Sequence, residues 1–186
     1  MHYQRARVLF DLQRYHAVIA ELAEHLAQFP QDAAAMALLA HTLALVGKLD
    51  EAATTVQTAI DLDPTMPNVF HAACAVCGMR GELYTAEQAA REYLRLDSGN
   101  PVAHYFLTWV LCCRRRWREA LRASDDLLAL APHDSEYWEQ RGKILLQLKR
   151  PGDAEQAFRQ ALALDAENAD AHEDRGRTLL QSRQHA

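Results

Sequence analysis

Four thiols, nine imidazoles and one run of guanidinium groups are the side chains here whose type and spacing could do chemistry. Cys74 and Cys77 are spaced like a redox pair or half of a zinc site, and Cys112 and Cys113 follow as neighbours. Zinc takes tetrahedral Cys and His ligands from convergent segments. A reactive C-x-x-C draws its thiolate stability from a helix start, whereas Cys74 sits inside HAACAVCGM, which reads as helix interior. Cys112 and Cys113, adjacent on a helix, would point about 100° apart. The thiols therefore read as buried filler, and no metal or cofactor is expected. The histidines are scattered, without H-E-x-x-H, a nucleophile motif or a Gly-rich phosphate loop. The carboxylates follow helix starts and solvent faces rather than a paired acid–base arrangement. No enzymatic activity is expected. Arg114, Arg115, Arg116 and Arg118 form the one basic run. It falls on a hairpin tip, where solvation is the default and an acidic partner or phosphate the alternative. Nucleic acid is disfavoured, because one patch in a chain of net charge −5 supplies few phosphate contacts.

What positions these groups is a pattern that returns every 34 residues. It is clearest from Asp32 to Pro64, DAAAMALLAHTLALVGKLDEAATTVQTAIDLDP. Residues 33–45 contain no Gly, no Pro and one β-branched residue; residues 51–62 keep Ala52, Val56, Ala59, Ile60 and Leu62 apolar. Both stretches follow a 3.6-residue helical period, either side of a tip at Gly47-Lys48. Asp32 is placed to cap the first helix and Asp50 the second. Pro64 stops the second. One such hairpin cannot bury both of its apolar faces alone. The marks recur at the same interval: Ala52, Ala86, Ala120 and Ala154; the small residues Ala6, Ala40, Cys74, Thr108, Gly142 and Gly176; and Leu62, Leu96, Leu130 and Leu164. Each new unit is preceded by Asp32, Met66, Asn100, Asp134 or Asn168, four of which are good helix caps. Coincidences of this kind at one spacing define a repeat protein.

The pattern resembles the tetratricopeptide repeat family, which sets a bulky residue near the fourth position, small residues at the eighth and twentieth, and a proline near the thirty-second. The fullest match is Trp138, Gly142, Leu145, Ala154, Phe158, Ala161 and Leu164. Tyr93 and Leu127 replace the usual small residue at the twenty-seventh position, which predicts looser or shifted packing between the repeats that carry them. The resemblance implies an all-α superhelical solenoid of antiparallel helix hairpins. A single domain over 1–186 is expected, with units of about 1–32, 33–66, 67–100, 101–134 and 135–168 and a final helix over 169–183. In the first unit the helices are expected over 3–12 and 17–29. The final helix, ADAHEDRGRTLLQS, reads as a capping helix anchored by Leu179 and Leu180, the alternative being a longer array.

Composition sets the outer bounds. Hydrophobic content of 49% with 7 Gly and 6 Pro fits an ordered all-α chain. No apolar run is long enough to span a membrane, and the opening MHYQRARVLFDLQRYHAV does not read as a signal peptide. Four cysteines in no framework spacing point to free thiols in a reducing compartment, the cytoplasm.

The resemblance further implies a concave face built from the first helix of each hairpin. Its expected partner-binding groove comprises Phe10, His41, Leu45, His71, Met79, Tyr105, Trp109, Glu139, Lys143 and Arg177. His41 and His71 lie in neighbouring first helices and can approach each other. The middle of the face is aromatic and apolar, and its C-terminal end is acidic, with Glu136, Glu139, Asp170 and Glu173 around Lys143 and Arg177. Exposed Trp and Tyr bury much area at little entropic cost. The groove is thus expected to hold a peptide or protein segment, making the chain a scaffold, adaptor or chaperone. The bland alternative packs Trp109 into the core. The Lys and Asn cluster with which some family members grip a C-terminal carboxylate is absent. The competing function is self-association through the terminal helices near Tyr3 and Leu179.

Overall fold

The computed structural model describes the backbone of residues 1–184 and the side chains of residues 1–178. Leu179 and Leu180, the expected anchors of the last helix, therefore have side chains outside the described residues. The described residues form eleven α-helices and no strand. They are α1 (His2–Asp11), α2 (Tyr15–Gln28), α3 (Ala33–Leu45), α4 (Leu49–Leu62), α5 (Pro67–Arg80), α6 (Leu83–Leu96), α7 (Pro101–Cys113), α8 (Trp117–Leu130), α9 (Ser135–Gln147), α10 (Pro151–Leu164) and α11 (Ala169–Gln184). The chain divides into two compact units, Met1–Ser98 and Gly99–Ala186. The boundary falls between the repeats that carry Tyr93 and Leu127.

The first helices start where the sequence places oxygen acceptors. Asp32 Oδ1 accepts from the Ala35 N–H at 3.0 Å, Asn100 Oδ1 from Val102 at 3.0 Å, Asp134 Oδ1 from Glu136 at 3.0 Å and Asn168 Oδ1 from Ala171 at 2.9 Å. Each bond satisfies one of the orphan donors of a helix N-terminus. Met66 offers no such oxygen, and Pro67 at the first helical position removes one donor instead.

The second helices start differently. Their N-cap residues are Arg14, Lys48, Glu82, Arg116 and Arg150, with no side-chain cap bond. This corrects the expectation for Asp50, which lies inside the first turn of α4 and pairs with Arg80 at 2.6 Å. The cause is the backbone of the tip. Gln13, Gly47, Gly81, Arg115 and Lys149, one per repeat, all take positive φ between 56° and 82°. That left-handed residue turns the chain so sharply that the next helix begins two residues later. Gly81 caps α5 in this geometry without penalty. At Gln13, Arg115 and Lys149 the side chain makes the same conformation cost about 1 kcal/mol. The same tip geometry puts α2 at Tyr15, two residues before the start expected from the pattern.

Packing follows the small-residue series. Ala6, Ala40, Cys74 and Thr108 are buried at 0–1% exposure, so neighbouring helices meet at close range. In the first unit Ala6, Val18, Leu22 and Ala35 form one core cluster, flanked by Phe10, Leu26 and Leu38. In the second unit Leu111, Ala120, Ala123 and Ile144 form one cluster, and Leu145, Ala154, Ala157 and Phe158 another. Gly142 is there for Phe158: a Cβ on Gly142 would lie 2.4 Å from the buried ring. In each hairpin the residue sixteen positions after the small one is Leu22, Val56, Ala90, Ser124 or Phe158. The largest of these faces the smallest partner.

Candidate functional site

The first helices bring most of the expected groove residues together around three cavities, one in the first unit and two adjoining ones in the second. In the first unit a cavity of about 350 Å³ is lined by Tyr3, Arg7 and Phe10 of α1, Leu38 and His41 of α3, and Asn68 and His71 of α5. Rings run through it as a ladder. Tyr15 meets Phe10 at 5.8 Å between centroids, Phe10 meets His41 at 5.3 Å, His41 meets His71 at 5.3 Å, and His71 meets Tyr93 at 5.9 Å. The predicted approach of His41 and His71 is thus present. Burial and the neighbouring His71 push the His41 imidazole down to about 4. Burial alone lowers His71. Both rings are neutral at pH 7 and behave as flat, half-buried aromatic surfaces carrying hydrogen-bonding nitrogens.

Tyr15 and Tyr93 escaped sequence reasoning as parts of this surface. The signal at Tyr93 was visible as a bulky residue at a small position. Its effect is to send a ring from α6, 3% exposed, back onto His71 in the same hairpin. A second ring stack, also unforeseen, ties the start of this unit together. Tyr3, His25 and Phe29 stack at 5.8 and 5.0 Å, and His25 Nε2 bonds Asp32 Oδ2 at 2.8 Å. Burial works to raise the Asp32 carboxyl, yet the Ala35 N–H and His25 together hold it below the usual carboxylate range. One carboxylate thereby caps α3 with one oxygen and fastens α2 with the other.

In the second unit two cavities adjoin through Gln140 and Lys143, which line both. The first, of about 540 Å³, is polar and carries Tyr105, Glu136, Glu139, Asp165 and Asp170. Tyr105 stacks on Tyr137 at 5.8 Å, and burial together with Glu136 and Asp134 pushes its hydroxyl up. The second, of about 600 Å³, is mostly apolar and carries Trp109, Cys112, Cys113, Trp117, Ile144 and Leu146, with Asp174 and Arg177 at its rim. Trp109 is half-buried and walls this cavity. Trp117 and Asp174 join the site unforeseen. Lys143 bonds Glu139 and pairs with Asp174 at 3.6 Å; Arg177 bonds Glu173 and pairs with Asp174 at 3.7 Å. Burial disfavours the Lys143 charge, but Glu139 and the Asp174 and Asp170 carboxylates outweigh it and raise the ammonium.

Two of the expected groove residues stand apart from these groups. Leu45 and Met79, 36% and 46% exposed at the ends of α3 and α5, line none of the three cavities.

The thiols are free, with Cys74 and Cys77 buried. Burial raises both, with further help from the Cys77 sulfur at Cys74 and from Glu82 at Cys77. Burial, with Cys113 beside it, pushes Cys112 up to about 12. Cys74 and Cys77 are thus buried packing groups, whereas Cys112 is half-buried and Cys113 exposed at the end of α7, which corrects the reading of all four thiols as buried filler. His41 and His71 gain no third metal-capable neighbour among the described residues. The one such trio among the described residues is His2, Glu21 and Glu24. His2 Nδ1 bonds Glu21 at 2.9 Å, and Arg5 pairs with Glu21 at 3.2 Å.

Comparison with known proteins places this arrangement. Two family models, both described as tetratricopeptide repeat, match residues 9–76 and residues 114–169 and 141–186. The cytochrome c-type biogenesis protein CycH of Rhizobium meliloti (strain 1021) is 35% identical over 121 residues, which cover 63% of this chain and 32% of that protein. The matched stretch thus spans about a third of that relative's length. The crystal structure of a thermophilic TPR protein of Thermus thermophilus superposes with a TM-score of 0.77 at 19% identity, over 96% of this chain and 97% of that one. YrrB, a TPR protein with an unusual peptide-binding site, superposes with a TM-score of 0.73 at 22% identity, over 87% and 84% of the two chains.

Proposed function

The chain belongs to the tetratricopeptide repeat family, and from that membership we propose that it binds a protein segment on its first-helix faces, as a scaffold, adaptor or chaperone. Proteins of this family generally mediate protein–protein contacts and are generally not enzymes. The observation that carries the reading is the apolar cavity walled by Trp109 and Trp117. A half-buried indole beside an open cavity gains area when a partner side chain enters, at little conformational cost. The neighbouring acidic cavity, with Tyr105 and Glu139, suits a basic residue of the same segment. In the first unit, Phe10, His41 and His71 offer a comparable neutral ring surface. YrrB supports the reading, as a protein of this fold with a peptide-binding site.

The test is capture from a lysate, identified by mass spectrometry, with a Tyr105→Ala/Trp109→Ala variant alongside that retains its helical circular dichroism. A protein held by the parent and lost by the variant supports the groove. Equal retention by both moves the site elsewhere on the molecule.

Self-association is the second reading. Val8 on α1 and Leu12 at its C-cap, each 59% exposed, lie one turn apart and leave an apolar strip there. Mass in solution that rises with concentration, and falls back in Val8→Ser/Leu12→Ser, would favour it. No helix among the described residues is long and apolar enough to cross a membrane. The free thiols support a cytoplasmic setting for either reading.

A further inference from the structure

The hairpin tips of the two units differ in how their cations are matched. In the first unit Lys48 pairs with Glu51 at 3.0 Å, and Arg80 pairs with Asp50 and Glu82 at 2.6 Å each, which leaves Arg14 as an exposed tip cation with no carboxylate partner among the described residues. In the second unit the α7–α8 and α9–α10 tips carry Arg114, Arg115, Arg116, Arg118, Lys149 and Arg150. Arg116 pairs with Glu119 and Arg150 with Asp153. Arg115, Arg118 and Lys149 are exposed and pair with no carboxylate among the described residues. The two tips share one edge. Cys112 and Leu111, just before the first, and Leu148, just before the second, pack into the same apolar cluster. Arg115 and Lys149 also occupy the left-handed position that Gly47 and Gly81 fill in the first unit. Two cationic side chains therefore stand where glycine would be unstrained.

We propose that this edge of the second unit binds an acidic protein segment, a short run of Asp or Glu side chains presented by a partner. Guanidinium groups match carboxylates in bidentate geometry, and unmatched cations on one edge bind them without first breaking internal pairs. A bilayer fits less well: among the described residues, the exposed large apolar side chains of this unit, Val102, Leu130 and Leu164, lie at the helix ends away from both tips. A long polyanion fits less well too. The edge is short, and the acidic cavity of the same unit, with Glu136, Glu139, Asp165 and Asp170, adds repulsion to any extended nucleic acid.

The test is fluorescence anisotropy of a short labelled poly-glutamate peptide titrated with the full chain at low and high salt. Saturable binding that weakens with salt is expected. The variant Arg115→Gly/Arg118→Gln/Lys149→Gly should weaken it about tenfold or more. Its two glycines relieve the left-handed strain, so an unchanged or higher unfolding midpoint shows that lost binding is not lost fold. The matched control Arg14→Gln/Lys48→Gln, on the tips of the first unit, should leave affinity unchanged. So should Tyr105→Ala/Trp109→Ala, which separates this edge from the groove. The proposal is overturned by an unbound peptide, by equal affinity in the edge variant, or by loss of the peptide in the groove variant. Phosphatidylserine vesicles or duplex DNA held through these residues while the peptide is not would equally overturn it.

Discussion

The two units put the same repeat positions to different use. Two repeats on from His41 and His71 stand Trp109 and Glu139. In the first unit the two imidazoles meet at 5.3 Å and close a ladder of rings, neutral because burial disfavours their charge. In the second unit the indole walls an apolar cavity and the carboxylate anchors Lys143. The same inward-facing positions thus give a continuous aromatic surface in one case and a divided surface, apolar beside acidic, in the other. The tips differ in the same sense: Lys48 and Arg80 pair with carboxylates in the first unit, whereas Arg115, Arg118 and Lys149 of the second pair with none among the described residues. The lesson is that repeat position fixes where a side chain points, while its neighbours across the hairpin fix its chemistry.

The sharpest way to break this comparison lies in the core of the second unit. Phe158 is fully buried against Gly142, whereas the first unit has Val56 and Ala40 at those positions. Phe158→Ala should cost about 3–5 kcal/mol in urea unfolding and Val56→Ala about 1–3. Gly142→Ala alone should destabilise, and its cost should largely vanish in the Phe158→Ala background. Additive costs in that cycle would show that the ring moves aside freely.

The next effect belongs to the first unit and depends on pH. The folded His41 and His71 imidazoles titrate below the ordinary value, His41 at about 4. As pH falls below about 6.5 the unfolded chain takes up protons first, so stability is lost between there and about 4. The loss should reach roughly 2–3 kcal/mol and shrink in His41→Phe. Asp32 adds a loss of the same sign only as pH falls further, into the carboxylate range. A stability curve flat from pH 7 to 5, and identical in His41→Phe, would remove the buried neutral pair from the account.

Smaller changes test the tips. Lys149→Gly should raise stability by about 0.5–1 kcal/mol, and Gly47→Ala should lower it by about 1. Thermal unfolding of the two variants side by side gives both signs. Smallest is Ser124→Ala. Ser124 Oγ is buried without a partner among the described residues, where the preceding hairpin has Ala90. Removing that hydroxyl should leave stability unchanged or raise it by up to about 1 kcal/mol, read from the urea midpoint.

The fold was legible from the spacing of a few residue types. Asp32, Asn100, Asp134 and Asn168 announced the first helices because a short acceptor side chain acts within its own turn. Cys74 and Cys77 were legible as core for the same local reason, since they stand at buried positions of the pattern; Cys112 and Cys113 were not, and lie half-buried and exposed. The second helices were less legible. Asp50 has a capping residue's chemistry, but the turn at Gly47 starts α4 at Leu49, one residue ahead of it. A positive φ at Gln13, Arg115 or Lys149 leaves no mark in residue type. The cavity linings were legible in their first-helix members, Leu45 and Met79 excepted, and not in the rings from the second helices. Tyr93, Trp117 and Tyr15 arrive across the hairpin, and spacing along one helix cannot show which of them turns inward.

By itself, then, the sequence determined the repeat and its helices, because period and capping are properties of neighbouring residues. Tertiary structure alone decided that His41 and His71 are a neutral, tilted ring pair, that Trp109 borders a cavity, and that Arg115, Arg118 and Lys149 pair with no carboxylate among the described residues. Those outcomes depend on burial and on distances between side chains far apart in the chain, which no local pattern encodes.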